Sequence, residues 1–206
     1  MRLPAPPLLV ISDRRQARRP LAELAEAIFV GGCRWFSLRE KDLPAAERRA
    51  LLSALVTRGR CWGATVTVHD DIDGAVMAGA GGVHLPSGAS PRAARARLPA
   101  GLIGVSAHSA EDVSALLYSG ADYVTVSPVF ATASKPGYGP AIGLDGLAQI
   151  AARAPGAVIA LGGINASTAP LCTAAGAHGV AVMGEVMRAA DPRAAVQAIL
   201  AEISGS

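Results

Sequence analysis

Four times in this chain a stretch with helical periodicity ends in small residues and runs straight into a short apolar segment. The junctions are Gly31-Gly32-Cys33 ahead of Trp35-Phe36, Gly79-Ala80-Gly81-Gly82 ahead of Val83-His84-Leu85, Gly120-Ala121-Asp122 ahead of Tyr123-Val124-Thr125-Val126, and Gly176-Ala177-His178-Gly179 ahead of Val180-Ala181-Val182-Met183. Glycine reaches positive φ without a Cβ penalty, so a helix followed by glycine and a β-rich run reads as a helix returning into a strand. One such junction is only a turn. Four of them describe strands and helices alternating around a parallel sheet, a class of fold that gathers its chemistry on one rim.

Hydrophobic spacing fills in the rest. It predicts strands over Leu8 to Ser12, Trp35 to Arg39, Ala64 to His69, Val83 to Leu85, Leu102 to Ser106, Tyr123 to Ser127 and Val158 to Leu161, with an eighth ending at Met183. Helices are expected from Pro20 to Val30, Pro44 to Gly59, Ile72 to Ala78, Pro91 to Leu98, Ser109 to Ser119, Leu144 to Ala154, Asn165 to Ala175 and Asp191 to Ile203. Between the sixth strand and its helix, Pro128 to Gly143 forms a loop long enough to carry function. Eight βα units without a Gly-x-Gly-x-x-Gly fingerprint favour a single (β/α)8 TIM barrel domain over residues 1–206, with an open doubly wound sheet as the alternative.

Composition narrows the partners. Hydrophobic residues make up 51% of the chain and aromatics only 4%, so the core must be Ala, Val, Leu and Ile packed around glycine. A net charge of +3, with arginines spread over helix faces and no aromatic platform between them, argues against nucleic acid. The cluster Arg14, Arg15, Arg18 and Arg19 reads as a solvated loop. No secretory signal and no membrane-spanning apolar run is visible, so a cytoplasmic protein with no membrane partner is expected. Cys33, Cys61 and Cys172 are far apart and lack metal spacing, as reduced thiols would be.

In a barrel the residues after each strand form the site. They are Asp13; Ser37, Arg39 and Lys41; His69, Asp70 and Asp71; His84; Ser106 and His108; Ser127, Thr132, Ser134 and Lys135; Gly162-Gly163; and Met183-Gly184. The glycines after strands seven and eight, with helix starts behind them, suit a phosphate dianion. Thr132, Ser134 and Lys135 offer two hydroxyls and an ammonium to a second anionic group. Arg39, Lys41 and Asp70 could neutralise a diphosphate, with Asp70 or Asp71 able to hold Mg²⁺, although Asp71 reads better as a helix cap. Imidazole titrates near neutrality, and His69, closing a β-branched strand, is the leading candidate for proton transfer. His84 and His108 read as supporting residues, and His178 belongs to the opposite rim.

Ser37-Leu38-Arg39-Glu40-Lys41, Val68-His69-Asp70-Asp71, Gly82-Val83-His84-Leu85, Gly104-Val105-Ser106-Ala107-His108-Ser109, Ser127-Pro128-Val129-Phe130-Ala131-Thr132-Ala133-Ser134-Lys135 and Leu161-Gly162-Gly163-Ile164 follow one another in an order that resembles the thiamine phosphate synthase and thiazole tautomerase (TenI-like) superfamily. The resemblance covers nearly the whole chain and implies a TIM barrel that binds the thiazole phosphate of thiamine (vitamin B1) biosynthesis. For a synthase, which joins a pyrimidine diphosphate to thiazole phosphate and releases pyrophosphate, it implies Arg39 and Lys41 on the diphosphate, Asp70 on Mg²⁺, Ser106 and Lys135 on the leaving pyrophosphate, and Thr132 with Ser134 on thiazole phosphate. Gly162, Gly163, Met183 and Gly184 would complete the phosphate site.

The chain departs from the synthase pattern at Ser37 (usually Gln), His69 (usually Asn), Ala89 (usually a metal-binding Asp) and Gly184 (usually Ser). Those departures favour the tautomerase branch, which moves a proton and needs no metal; the branch's histidine after strand six is Pro128 here, leaving His69 as the proton carrier. A synthase using Mg²⁺ is the alternative, and a non-catalytic thiazole-phosphate-binding regulatory protein is the third reading. Family members are often multimeric, and the Ala-rich helix faces permit a homo-oligomer.

Overall fold

The computed structural model describes residues 3–132 and 140–204. Its elements run β1 (Leu8–Ile11), α1 (Leu21–Val30), β2 (Trp35–Leu38), α2 (Ala45–Arg60), β3 (Thr65–His69), α3 (Ile72–Ala78), β4 (Gly82–Leu85), α4 (Pro91–Arg97) and β5 (Leu102–Ala107), followed by α5 (Ala110–Tyr118), β6 (Tyr123–Val126), α6 (Gly143–Arg153), β7 (Ala157–Leu161), α7 (Ala169–Ala174), β8 (Gly179–Val182), α8 (Gly184–Met187) and α9 (Pro192–Ser204). All eight strands are parallel and close into a barrel in sequence order, β8 pairing back onto β1 with Val10 opposite Val182. The (β/α)8 expectation holds.

The glycine junctions act as read. Gly79 caps α3 in the left-handed region, its N–H reaching back to the Ala75 and Val76 carbonyls, and Gly32, Gly120 and Gly176 also take positive φ. Two helices differ from expectation. Asn165 does not begin α7. Its Oδ1 instead accepts from the Ser167 and Thr168 amides at 2.9 and 3.0 Å, forming a capped turn, and the regular helix starts at Ala169. Among the described residues there is also an extra short helix, α8, where the sequence pattern showed only a strand end and a glycine.

Strand periodicity sorts the core into two layers. Leu8, Val10, Phe36, Leu38, Val66, Val68, Val83, Ile103, Val105, Val124, Val126, Val158, Ala160, Val180 and Val182 point outward and pack under the helices. Leu9, Ile11, Trp35, Leu102, Tyr123, Ile159 and Ala181 point inward and plug the barrel. Trp35 and Tyr123 meet edge to face with ring centroids 4.7 Å apart. Tyr123 fits only because position 104 has no side chain: a Cβ there would land on the phenol ring. The plug lies below the inward residues of the strand C-terminal ends, so it forms the floor of whatever binds at the rim.

Asp71 fastens two of the outer helices. It caps α3, accepting from the Gly74 amide at 2.8 Å, and it takes Arg49 Nε and Nη2 of α2 at 3.0 and 2.8 Å. With its side chain 6% exposed, this carboxyl is held down to about 2, first by the Arg49 hydrogen bonds, then by the Gly74 amide and the Arg48 and Arg49 charges, which outweigh the opposing effect of burial. A carboxyl depressed in the folded state contributes stability that is fully present above its unfolded value near 3.8 and is lost as pH falls through about 2. Asp71→Asn is therefore expected to unfold more readily than the parent by about 2 kcal/mol near neutral pH, with the gap closing as pH approaches 2. Denaturant titrations at both ends of that range check it; a gap of the same size throughout would count against the ion pair.

Candidate active site

Above the plug, the strand C-terminal ends surround a cavity of about 580 Å³, within the range of small-molecule sites. Arg39, Lys41, His69, Asp70, Ser106, Thr132, Gly162, Gly163, Met183 and Gly184 all line it. Ser134 and Lys135 lie outside the described residues. Three strand-end candidates are placed away from the cavity, and His178 lies at the opposite rim where the sequence put it. Ser37 is buried inside the barrel and accepts from Thr67 Oγ1 at 2.8 Å; Asp13 is bound by Arg15 and Gln16; Asp71 is the helix cap; and His178 accepts from the Val158 amide.

The β2–β3 side of the cavity is cationic. The Arg39 amide donates to Ser12 Oγ at 2.8 Å, and Glu40, only 2% exposed, accepts from the Arg14 amide through both carboxylate oxygens, which pins the turn after β2 to the loop after β1. Burial pushes the Glu40 carboxyl up. Arg39 and Lys41 project from that turn, and neither makes an ion pair among the described residues. Their charge is left for a ligand. Asp70 is the one described non-glycine residue with left-handed φ, 54°, a sparsely populated conformation that clusters at functional sites; its amide donates to the His84 carbonyl. His69 lies between this side and the barrel axis, its ring 4.6 Å from that of His84, and it also faces a side pocket of about 220 Å³ shared with Glu40, Lys41 and Arg48.

On the β4–β6 side the buried Tyr123, His84 and Thr125 connect the plug to the half-buried Ser106 at the cavity. His84 Nδ1 is 3.0 Å from Tyr123 Oη, and its Nε2 is 3.1 Å from Ser106 Oγ and 3.4 Å from Thr125 Oγ1. Burial, helped by the nearby Arg39 charge, drops the His84 pKa to about 3, so the ring is neutral. Burial pushes the Tyr123 phenol up, so it keeps its proton. The phenol then donates to Nδ1, leaving the ring hydrogen on Nε2, where Ser106 Oγ and Thr125 Oγ1 accept it. Ser106, which reaches the cavity, has its lone pair engaged and its own proton free to donate to an anion. Tyr123 was missed in the sequence because an aromatic inside a strand reads as core; its signal is Gly104, the gap cut for its ring.

The β7–β8 side is built of backbone. Gly162 and Gly163 have φ of 99° and 68°, and Cβ atoms on them would fall 2.8 Å from Pro128 Cα and 2.7 Å from Phe130 Cβ. They are pressed against the loop after β6, whose Val129 and Phe130 amides donate to the Leu161 and Gly162 carbonyls. The expected helix start behind this pair is absent, since α7 begins six residues later at Ala169. Arg188 also lines the cavity here, a residue the sequence reading passed over. Its signal was the i, i+4 spacing from Gly184, hidden because α8 was not foreseen.

Among the described residues no group of three or more His, Cys, Asp or Glu converges as a metal cage. Ala89 packs against the outer core, so Asp70 is the carboxylate on the cationic side. One carboxylate fits the habit of Mg²⁺, which keeps waters and takes its remaining oxygens from substrate phosphates.

A family model described as thiamine monophosphate synthase matches residues 8–186. Among curated proteins, the chain is 40% identical over 200 residues to a thiamine-phosphate synthase of Roseiflexus sp., covering 96% of this chain and 85% of that one. It is 38% identical over 191 residues to a thiamine-phosphate synthase of Moorella thermoacetica, with 92% and 91% covered. Among solved structures, the thiamine phosphate pyrophosphorylase of Pyrococcus furiosus superposes with a TM-score of 0.87 at 32% identity, covering 96% of this chain and 95% of that one.

The Tyr123–His84–Ser106 hydrogen-bond chain is a relay that can be read directly in nitrogen-15 NMR of the histidines. The parent should show His84 as one fixed tautomer, protonated on Nε2, down to low pH. Tyr123→Phe removes the donor to Nδ1, and the His84 nitrogens should then report a mixture of tautomers; an unchanged pattern would sink the relay.

Proposed function

The chain belongs to the thiamine monophosphate synthase family, and on that premise we propose that it joins an aminopyrimidine diphosphate to thiazole phosphate, releasing pyrophosphate. The observation that carries this reading is a single cavity with two anion-receptive sides, Arg39, Lys41 and Ser106 on one and Gly162, Gly163 and Gly184 on the other. The relatives' names support the synthase over the tautomerase expected from His69 and Ala89.

In this reaction the methylene carbon–oxygen bond of the pyrimidine diphosphate breaks, and its electron pair leaves with the diphosphate. The carbon then takes the lone pair of the thiazole ring nitrogen, and the new C–N bond leaves that ring cationic. Charge therefore builds on the leaving oxygens, where preorganised cations and donors contribute most. Arg39 and Lys41 are pinned there by the Ser12 and Glu40 contacts. Ser106 presents a proton already oriented by His84. Asp70 would hold Mg²⁺ against the diphosphate oxygens, and the metal, when bound, supplies further neutralisation of the leaving group. Ile11, Leu161 and Ile164 give the same cavity an apolar wall.

One observation favours a second reading. His69 faces the cavity where the synthase pattern has an amide, and an imidazole there could move a proton on a carboxythiazole phosphate without a metal. A paired assay separates the readings. With both substrates and Mg²⁺ the protein is expected to release pyrophosphate, and Lys41→Ala should lower kcat by about a hundredfold. Metal-free aromatisation of the thiazole tautomer that disappears in His69→Ala, without pyrophosphate release, would replace the synthase with the tautomerase; tight thiazole-phosphate binding with neither reaction would leave a binding protein.

A further inference from the structure

Arg188 occupies a place that a glycine makes for it. It follows Gly184 by one helical turn, and its guanidinium folds back over the Gly184 Cα: a Cβ on that residue would collide with Nη1 and lie 2.7 Å from Cζ and Nη2. Gly184 has no positive φ, so the backbone there would accept a side chain. What the missing side chain provides is room for the arginine.

The arginine is also aimed. Its Nη1 donates to Gln16 Oε1, in the loop after β1. Gln16 cannot turn its amide round, because Nε2 donates at 2.8 Å to Asp13 Oδ2, and Asp13, 5% exposed, is held from its other side by Arg15. So Asp13 sets the amide, and the amide oxygen sets the guanidinium. Gln16 is neutral, and Arg188 makes no ion pair among the described residues, so its guanidinium faces the cavity beside Gly162, Gly163 and Gly184, on a side where Glu185 is the one lining carboxylate. A guanidinium has five donors in a planar fork, and one hydrogen bond to Gln16 leaves the others for a ligand.

We propose that Arg188, seated on Gly184 and aimed by the Asp13–Gln16 pair, is the charged ligand of a phosphomonoester dianion at the β7–β8 side of the cavity. This rests on the reading above, in which that side takes thiazole phosphate. The glycine backbone alone offers neutral N–H donors, and Arg188 adds the net positive charge that a dianion needs and that an uncharged alcohol would not use. It makes the site selective for the phosphorylated thiazole over its alcohol precursor.

Titration calorimetry on the intact protein tests this with three probes: hydroxyethylthiazole phosphate, hydroxyethylthiazole itself and inorganic phosphate. Arg188→Ala is expected to weaken the phosphate ester by about 10- to 100-fold, the range of a charge-assisted hydrogen bond, while the alcohol binds as it does to the parent. Gly184→Ala should reproduce much of that loss by displacing a correctly charged arginine. The double variant should then be no weaker than Arg188→Ala alone, a coupling that a merely structural role would not give. Parent-like affinity of Arg188→Ala for the ester overturns the clamp and leaves the thiamine reading standing. Inorganic phosphate binding that depends on Arg188, without thiazole phosphate binding, supports the clamp and overturns the thiamine reading. Failure of the parent to bind either phosphate probe overturns the clamp.

Discussion

Closure of β8 onto β1 is the constraint from which the site follows. Once the parallel sheet has no edge, every strand must alternate strictly between the helical shell and an interior wide enough only for side chains. The interior is filled low down by Trp35, Tyr123, Leu9, Leu102 and Ile159, and the next inward positions toward the C-terminal ends are His84, Ser106 and Thr125. Polar groups thus sit directly on an apolar plug, where water cannot compete for them. An unpartnered polar atom at that depth is costly, and although the Trp35 indole N–H bears that cost, the His84, Ser106 and Thr125 side chains find partners within the barrel. That requirement turns Tyr123, His84 and Ser106 into a single oriented chain.

The architecture was legible because its signals are local. Gly79 ends α3 in the conformation that only glycine adopts readily, and Asp71 begins the same helix with the cap its residue type favours. The candidate site was legible to the extent that a barrel sends strand-end residues to one rim: Arg39, His69, Asp70 and Gly163 needed only their position in the chain. Ser37 shows where that rule runs out: two residues beyond the inward Trp35 it also faces the interior, but it sits one layer too deep and bonds Thr67 instead of reaching the cavity. Arg188 was illegible for a different reason. Its role depends on a four-residue helix and on a glutamine from the far end of the chain, neither of which leaves a periodic trace.

The departures from the synthase pattern carry different physical weights. Ala89 removes a carboxylate but leaves no hole, because the position packs against the shell and the cavity still contains Asp70. On the proposed reading, one fewer carboxylate leaves Arg39 and Lys41 to meet the diphosphate more nearly alone. Gly184 removes a hydroxyl and admits a guanidinium from four residues on, exchanging a neutral donor for a charged one. Neither change empties the site of donors. Both shift its balance toward arginine and lysine.

The two sides of the cavity are rigid by different means. At the diphosphate side the Arg39 and Glu40 contacts cross from β2 to the loop after β1, and Ser106 is backed by a buried neutral histidine that no physiological pH will charge. The backbone that carries Arg39 and Lys41, and the Ser106 hydroxyl, are thus placed before any ligand arrives. At the phosphate side the glycines are wedged against the loop after β6, but the charge is supplied by an exposed arginine whose position rests on one glutamine. A leaving group must meet donors that do not have to reorganise, because reorganisation would add to the barrier at the moment charge develops. A group that only has to be held needs charge and room more than it needs a fixed transition-state geometry. On the proposed reading, the diphosphate that departs therefore meets Ser106 already oriented by His84, and the phosphate that stays with the product meets Arg188 aimed by Gln16.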